Sequence, residues 1–227
     1  MPMPKVEEIF SNVFLIDGKL ATKNLVKGSK VYGEELVDVD GTEYRLWNPY
    51  RSKLAAAILK GIKNMHIKPE ANVLYLGAAT GTTCSHVSDI VAEKGSIYCV
   101  EISERSMRDL IKVCEKRLNM LPILQDALNT EAYAKEVGKV DIIYQDVSSR
   151  QQSEILLRNA KLLKKNGYAY VAIKSQSISS SSDPKSVYNR FLSEVADTFK
   201  LVEAVDIAPY SLLHLFAVMQ KLTSSHE

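Results

Sequence analysis

The sequence predicts an α/β protein with a Rossmann-like, seven-stranded, mostly parallel sheet whose last strand is reversed, preceded by a small N-terminal β domain. Three observations carry that expectation. From Asn72 onward, short apolar runs alternate with segments of helical periodicity, the pattern of right-handed crossovers between parallel strands. The run Val73-Leu74-Tyr75-Leu76 passes into Gly77-Ala78-Ala79-Thr80-Gly81, a small-residue turn that opens a helix. Up to about Trp47, by contrast, brief β-patterned runs are punctuated by Asp-Gly pairs.

In order, residues 13–16 run into Asp17-Gly18, and residues 37–39 into Asp40-Gly41 before 44–46, which predicts two hairpins. Asn48-Pro49 breaks the pattern, and Leu54, Ile58, Leu59 and Ile62 then recur at helical spacing across 52–65. The expected domains are therefore 1–50 and 51–227, with no flexible linker. Strands are expected at 73–76, 96–101, 121–125, 140–146, 168–174, 201–207 and 214–220, with helices at 82–93, 104–118, 131–137, 152–164 and 185–199. Only the loop 208–213 separates the last two strands, too short for a crossover, so the final strand must reverse. The serine-rich stretch 175–182 reads as a mobile loop over the site.

With 227 residues, 46% of them hydrophobic, the chain can bury a substantial core. A net charge of +2 does not by itself announce nucleic-acid binding, and there is no polybasic or Arg/Gly-rich tail. Cys84, Cys99 and Cys114 are odd in number and lack paired metal spacing, so reduced structural thiols and no metal site are expected. Met1-Pro2-Met3-Pro4-Lys5 does not read as a signal peptide, and no apolar run is long enough to span a bilayer. A soluble, cytoplasmic protein is expected.

Gly77, Ala79 and Gly81 sit at alternate positions in a turn whose backbone N–H groups face a ligand. The dinucleotide fingerprint requires glycine where this chain has Ala79, which argues against NAD. Glu101 ends the second strand, where a carboxylate reaches the ribose of a bound nucleoside, and Asp126-Ala127 follows the third, where a carboxylate can accept from an adenine amino group. The three features in this order point to an adenosine cofactor. Asp146, Lys174 and His214 fall at strand ends on the same rim. Deprotonating a ribose hydroxyl for methyl transfer suits a lysine of lowered pKa: Lys53 nearby would depress Lys174, and Asp146 would raise and orient it, leaving base and orienter as two open roles. His66, His86 and His226 are assigned no function.

The segments Trp47-Asn48-Pro49-Tyr50-Arg51-Ser52-Lys53-Leu54-Ala55-Ala56-Ala57-Ile58, Val73 through Asp89, Pro122 through Ala127, Asp141 through Val147 and Ala172-Ile173-Lys174 together resemble the fibrillarin family in its archaeal form. The resemblance covers the chain from about Val13. It implies a fold of the S-adenosylmethionine-dependent methyltransferase type, and methyl transfer to ribose 2′-hydroxyls of rRNA and tRNA at sites chosen by a box C/D guide RNA. It also implies a Nop-type scaffold protein and a kink-turn-binding ribosomal-type protein as partners. By motif it implies cofactor contacts at Thr82, Thr83, Glu101, Ile102, Asp126, Ala127, Asp146, Val147, Ser148 and Ser149, and a reacting set of Lys53, Asp146, Lys174 and His214. Two departures stand out: Ser148-Ser149 replace the family's usual Ala-Gln, and Leu213 stands where an acidic residue commonly precedes the histidine. The alternatives are a non-catalytic architectural component, a small-molecule methyltransferase disfavoured by the polar 175–182 loop, and an NAD enzyme.

Overall fold

The computed structural model describes residues 4–223, so Met1–Met3 of the N-terminal stretch and His226 lie outside it. Five antiparallel strands form the N-terminal sheet: β1 (Val6–Phe10), β2 (Val13–Ile16), β3 (Lys19–Lys23), β4 (Leu36–Val39) and β5 (Thr42–Leu46), in the order β1-β2-β3-β5-β4. Both Asp-Gly pairs turn hairpins, with positive φ at Asp17 (48°), Gly18 (78°), Asp40 (51°) and Gly41 (78°). These are the two central positions whose twist matches that of paired strands. β1 was not expected, because Val6-Glu7-Glu8-Ile9-Phe10 does not alternate; it is an edge strand paired only to β2.

Helix α1 (Lys53–Leu59) starts where Ser52 Oγ accepts from the Ala55 N–H at 3.3 Å. It is shorter than the 52–65 periodicity suggested. Gly61, at φ 89°, turns the chain out of the helix, while Ile62 and Ile67 stay in the core without being helical.

The second sheet comprises β6 (Asn72–Leu76), β7 (Ser96–Glu101), β8 (Met120–Leu124), β9 (Val140–Gln145), β10 (Leu163–Lys174), β11 (Phe199–Asp206) and β12 (His214–Lys221), ordered β11-β12-β10-β9-β6-β7-β8. β12 runs antiparallel to both neighbours, and the ladders among β10, β9, β6, β7 and β8 are parallel. The strand order switches sides between β6 and β9, which puts the ligand crevice at their carboxyl ends. Helices α2 (Thr82–Val91) and α3 (Glu104–Cys114) cover one face with α1; α4 (Ala134–Val137), α5 (Gln152–Asn159), α6 (Ser175–Ile178) and α7 (Pro184–Val195) lie along the rest of the chain, with α5 and α7 in the core of the other face.

Other boundaries differ from the sequence reading, with α3 ending at Cys114 instead of 118 and α7 at Val195 instead of 199. α5 ends at Asn159, and β10 begins at Leu163, because the polar Lys164-Lys165-Asn166 segment is an irregularity inside a strand and not the end of a helix. The expected mobile loop 175–182 begins as the helical turn α6, whose Ser175 is buried and donates through N and Oγ to Leu213 O (3.2 and 3.1 Å). Among the described residues, no helix is long and apolar enough to cross a membrane.

The N-terminal sheet shares the core of the larger one, with Val13, Leu20 and Trp47 in the same cluster as α1, α2 and β6. At this junction lies a buried polar network. Asp89 on α2 accepts from Arg45 Nη1 (2.8 Å), Arg117 Nη1 (2.6 Å), Thr22 Oγ1 (2.7 Å) and the Leu25 N–H (3.0 Å), while Arg45 Nε also donates to Glu34 (2.7 Å). The Thr22 hydroxyl proton goes to Asp89, so Thr22 accepts from His86 Nδ1–H at 2.7 Å. His86 Nε2 in turn accepts from Tyr32 OH at 2.7 Å, and the ring stacks on Trp47. Burial, reinforced by Arg45 and Arg117, holds this imidazole neutral, well below its usual pKa.

Asp89→Asn leaves two buried guanidiniums short of a carboxylate and is expected to cost about 3–5 kcal/mol in urea denaturation. An imidazole whose folded pKa lies below its unfolded value takes up its proton first in the unfolded chain. The stability it confers is therefore full above about pH 6.5 and is lost as the pH falls below that. Unfolding midpoints should decline from about pH 7 to about 5.5, and less steeply in His86→Gln.

Candidate functional site

The β6–α2 turn is built by backbone constraints. Gly77 N and Ala78 N donate to Val100 O, extending the ladder past the end of β6. Gly77 has φ 83°, and a Cβ there would lie 2.9 Å from Asp146 O, so only glycine lets the ends of β6 and β9 approach this closely. Ala79 adopts a left-handed φ of 49° and donates its N–H to Glu101 Oε2 (2.8 Å); Glu101 Oε1 accepts from Ser103 N (2.8 Å). Glu101 thus staples the turn to β7 while facing the cleft.

That cleft has a volume of about 520 Å³ and is bordered by Gly77 and Ala79 on the turn, Glu101 and Ile102 beyond β7, and Asp126 and Ala127 beyond β8. Asp146, Val147, Ser148 and Ser149 after β9, with Lys53 and Lys174, close it. Gly81, Thr82 and Thr83 stand outside its wall: Gly81 caps α2, and Thr83 donates to Ser52 Oγ at 3.0 Å, tying α2 to the start of α1. Sequence reasoning missed Val100, Ser106, Gln125, Leu128, Gln151 and Ile155, which also line the cleft. Val100, Gln125 and Leu128 were findable as chain neighbours of Glu101, Asp126 and Ala127, whereas the others are set by how α3 and α5 pack. Gln151 brings a side-chain amide to the wall two residues beyond the Ser148-Ser149 departure, with its Nε2 donating to Glu154 (2.7 Å). A larger cleft of about 580 Å³ lies between the N-terminal sheet and the 46–51 segment, away from these groups.

At the mouth, Asp146 is shared by two lysines. Lys53 Nζ donates to Oδ2 at 3.0 Å, and Lys174 Nζ lies 2.8 Å from Oδ1, a charge contact outside hydrogen-bond angles. Lys174 Nζ also donates to Asp146 O (2.8 Å) and Ser148 Oγ (3.1 Å). Burial lowers the Lys174 pKa from its ordinary 10.5; Asp146 opposes this, and Lys53 adds to it. The sequence anticipated the two charges but not the desolvation.

His214 lies opposite Lys174 in the β10–β12 register and outside the cleft wall. Its Nδ1 lies 2.6 Å from Leu212 O, which can only accept, so Nδ1 carries the proton and Nε2 is left free to accept. Ser211 Oγ, 3.1 Å from the same nitrogen, adds a second contact. Burial lowers the imidazole pKa, and Lys53 and Lys174 push it the same way. The Leu213 departure does not loosen the ring: Leu213, at φ 59°, turns its carbonyl to Ser175, and its neighbours hold the histidine.

A seven-stranded sheet with this order, a reversed last strand and a cleft over the carboxyl ends of its central strands defines the methyltransferase-type α/β fold. The Fibrillarin family model matches residues 4–223, and the chain belongs to the fibrillarin family. It is 47% identical over 222 residues to the fibrillarin-like rRNA/tRNA 2′-O-methyltransferase of Methanocaldococcus jannaschii, covering 94% of this chain and 96% of that one. Aeropyrum pernix fibrillarin in complex with natively bound S-adenosyl-L-methionine superposes with a TM-score of 0.89 at 41% identity, covering 96% of this chain and 99% of that one. A solved fibrillarin/Nop5p complex contains a chain with a TM-score of 0.88 at 40% identity, covering 95% and 100%.

Gly77→Ala combines left-handed strain with a contact on the Asp146 carbonyl. It is expected to cost about 1–3 kcal/mol in chemical denaturation, more than alanine at Gly138, where φ is also positive but a Cβ meets nothing.

Proposed function

We propose that this protein transfers a methyl group from S-adenosylmethionine to ribose 2′-hydroxyls of rRNA and tRNA, as the catalytic subunit of a box C/D guide-RNA ribonucleoprotein. Its partners in this reading are a Nop-type scaffold protein, a kink-turn-binding ribosomal-type protein and the guide RNA. The observation that carries it is Asp146 held between Lys53 and Lys174 at the mouth of a cleft walled by Glu101 and Asp126. The names of the relatives support the same activity, and the Nop5p complex of a relative supports the scaffold partner. In the same proposal, residues 1–50 and 51–227 are the two domains. The location is cytoplasmic, consistent with three buried free thiols.

The residues present fit the cofactor. The cleft volume is that of a small-molecule site, and Gly77, whose Cβ would meet Asp146 O, lets the ends of β6 and β9 that border it come together. Glu101 would accept from the ribose hydroxyls and Asp126 from the adenine amino group. Ile102, 66% exposed, would be covered by the ring. Bound there, S-adenosylmethionine supplies an electrophilic methyl on a sulfonium.

Lys174 is the base in this mechanism, and it must first lose a proton. With that proton released to solvent, the neutral amine keeps two N–H groups for the Asp146 carbonyl and Ser148 Oγ, which leaves its lone pair for the ribose hydroxyl proton. Asp146 fixes both lysines, and Lys53 keeps the Lys174 pKa down. His214, with Nδ1 on Leu212 O, would accept from the acceptor ribose through Nε2.

Calorimetry should show S-adenosylmethionine raising the thermal midpoint while NAD does not, with Glu101→Ala weakening the effect. Equal protection by NAD would remove the cofactor assignment. Single-turnover rates in assembled particles should climb with pH through an apparent pKa below the usual lysine value. Lys53→Ala should move that limb up, since it removes a like charge, and Asp146→Asn should move it down. Lys174→Ala should abolish transfer and leave cofactor affinity nearly intact, whereas Asp146→Ala should damage both. Near-normal rates in Lys174→Ala particles would overturn the catalytic assignment. The chain alone should bind cofactor yet methylate naked RNA poorly, and efficient site-specific methylation without the guide would contradict that.

A further inference from the structure

Away from the cofactor cleft, a groove of about 340 Å³ runs between residues 29–32, in the connection from β3 to β4, and the outer face of α3. Four exposed cations border it: Lys30, Arg51, Lys112 and Lys116. The only carboxylate in its lining is Asp109, already paired with Lys112 at 2.9 Å. Lys30 and Lys116 have no acidic partner among the described residues. Arg51 lies over the Tyr32 ring, with its guanidinium carbon 5.3 Å from the centroid, which holds the charge at the groove's rim. Arg117 reaches the lining from below; it is 1% exposed, and its Nε–H has no hydrogen-bond partner.

For a chain of net charge +2, this is a strong local concentration of positive charge. Its position matters as much as its sign. Thr80 of the cofactor turn lies in its lining next to Ala79, and Arg51 is two residues from Lys53, so the groove adjoins the elements that carry the candidate site.

We propose that this groove binds the phosphodiester backbone of RNA, tracking the strand that flanks the methylated nucleotide. This rests on the RNA methyltransferase reading above. Flexible ammonium groups on both walls suit successive phosphates, which need charge and no base-specific geometry. The lining offers few apolar side chains to grip a folded protein partner, chiefly Val31 and Val113. Sequence choice would remain with base pairing, and the groove would supply register and hold.

The test compares three full-length proteins: wild type, Lys30→Gln/Lys112→Gln/Lys116→Gln in the groove, and a charge-matched control, Lys60→Gln/Lys135→Gln/Lys200→Gln, at exposed sites elsewhere. Arg51 and Thr80 are left intact because they adjoin residues of the candidate site in the chain, and Arg117 because it lies in the core. Binding of a short fluorescein-labelled single-stranded RNA is followed by anisotropy over a salt series. The groove variant should lose about 2 from the slope of log affinity against log salt, since each single-strand phosphate contact contributes about 0.7. Its affinity at low salt should fall at least about tenfold, and the control should change by less than half as much. Calorimetry with S-adenosylmethionine should give the same affinity for all three proteins, which separates failure of the groove from failure of the cofactor reading. A groove variant that matches the control, or a wild type that binds no RNA even at low salt, would overturn the proposal. So would polyglutamate binding the wild type more tightly than RNA does and losing that binding in the groove variant, which would assign the groove to an acidic protein segment.

Discussion

The structure depends on one buried carboxylate. Asp89 holds Arg45 from the N-terminal sheet and Arg117 from the segment after α3, with neither guanidinium reaching water. Two charges of each sign, counting Glu34, are removed from solvent here, and desolvation on that scale is tolerable only where nearly every donor and acceptor is met. Such a network adds little net stability compared with an apolar core of the same volume. It does exclude any other placement of the N-terminal sheet, because a shifted sheet would leave buried charge unpaired.

That constraint reaches the site through α2. One stretch of the helix carries Ser85, His86, Ser88 and Asp89 into the buried network; its first turn carries Thr83, whose hydroxyl holds Ser52 at the start of α1. Lys53 follows at once. The N-terminal sheet, remote from the chemistry in sequence, therefore shares a rigid helix with the residue that sets the charge beside Asp146. Arg117 belongs to the same network and also lines the cationic groove, so the grip on the N-terminal sheet and the proposed RNA track share a wall.

The proposed reacting groups show a similar economy. Asp146 is held by the close approach of β6 and β9 at Gly77, Lys174 and His214 face each other across one antiparallel ladder, and both lysines converge on the same carboxylate. An ammonium in contact with a carboxylate would ordinarily stay protonated. Burial and the second lysine tilt the balance the other way, which is the condition a lysine base requires.

The amino-acid order by itself determined the periodicities and turns. Apolar runs of the right length, Asp-Gly pairs and the Gly77–Gly81 turn are local statements, because backbone conformation answers to neighbouring residues. The mainly parallel run of strands, the reversed β12 and the placing of Asp146, Lys174 and His214 at strand ends followed from the same local signals, whereas the order of the strands across the sheet did not. What only the tertiary structure decided is whatever depends on burial or on partners far apart in the chain. Asp89, His86, Arg45 and Arg117 read as ordinary polar residues until α2 packs on the N-terminal sheet. The true ends of α1 and α5, the ordered turn at 175–178, the role of Ser148 beside Lys174 and the cations gathered from residues 30, 51, 112 and 116 are of the same kind. Each is fixed by desolvation or by contact across the fold, and neither has a signature in sequence spacing.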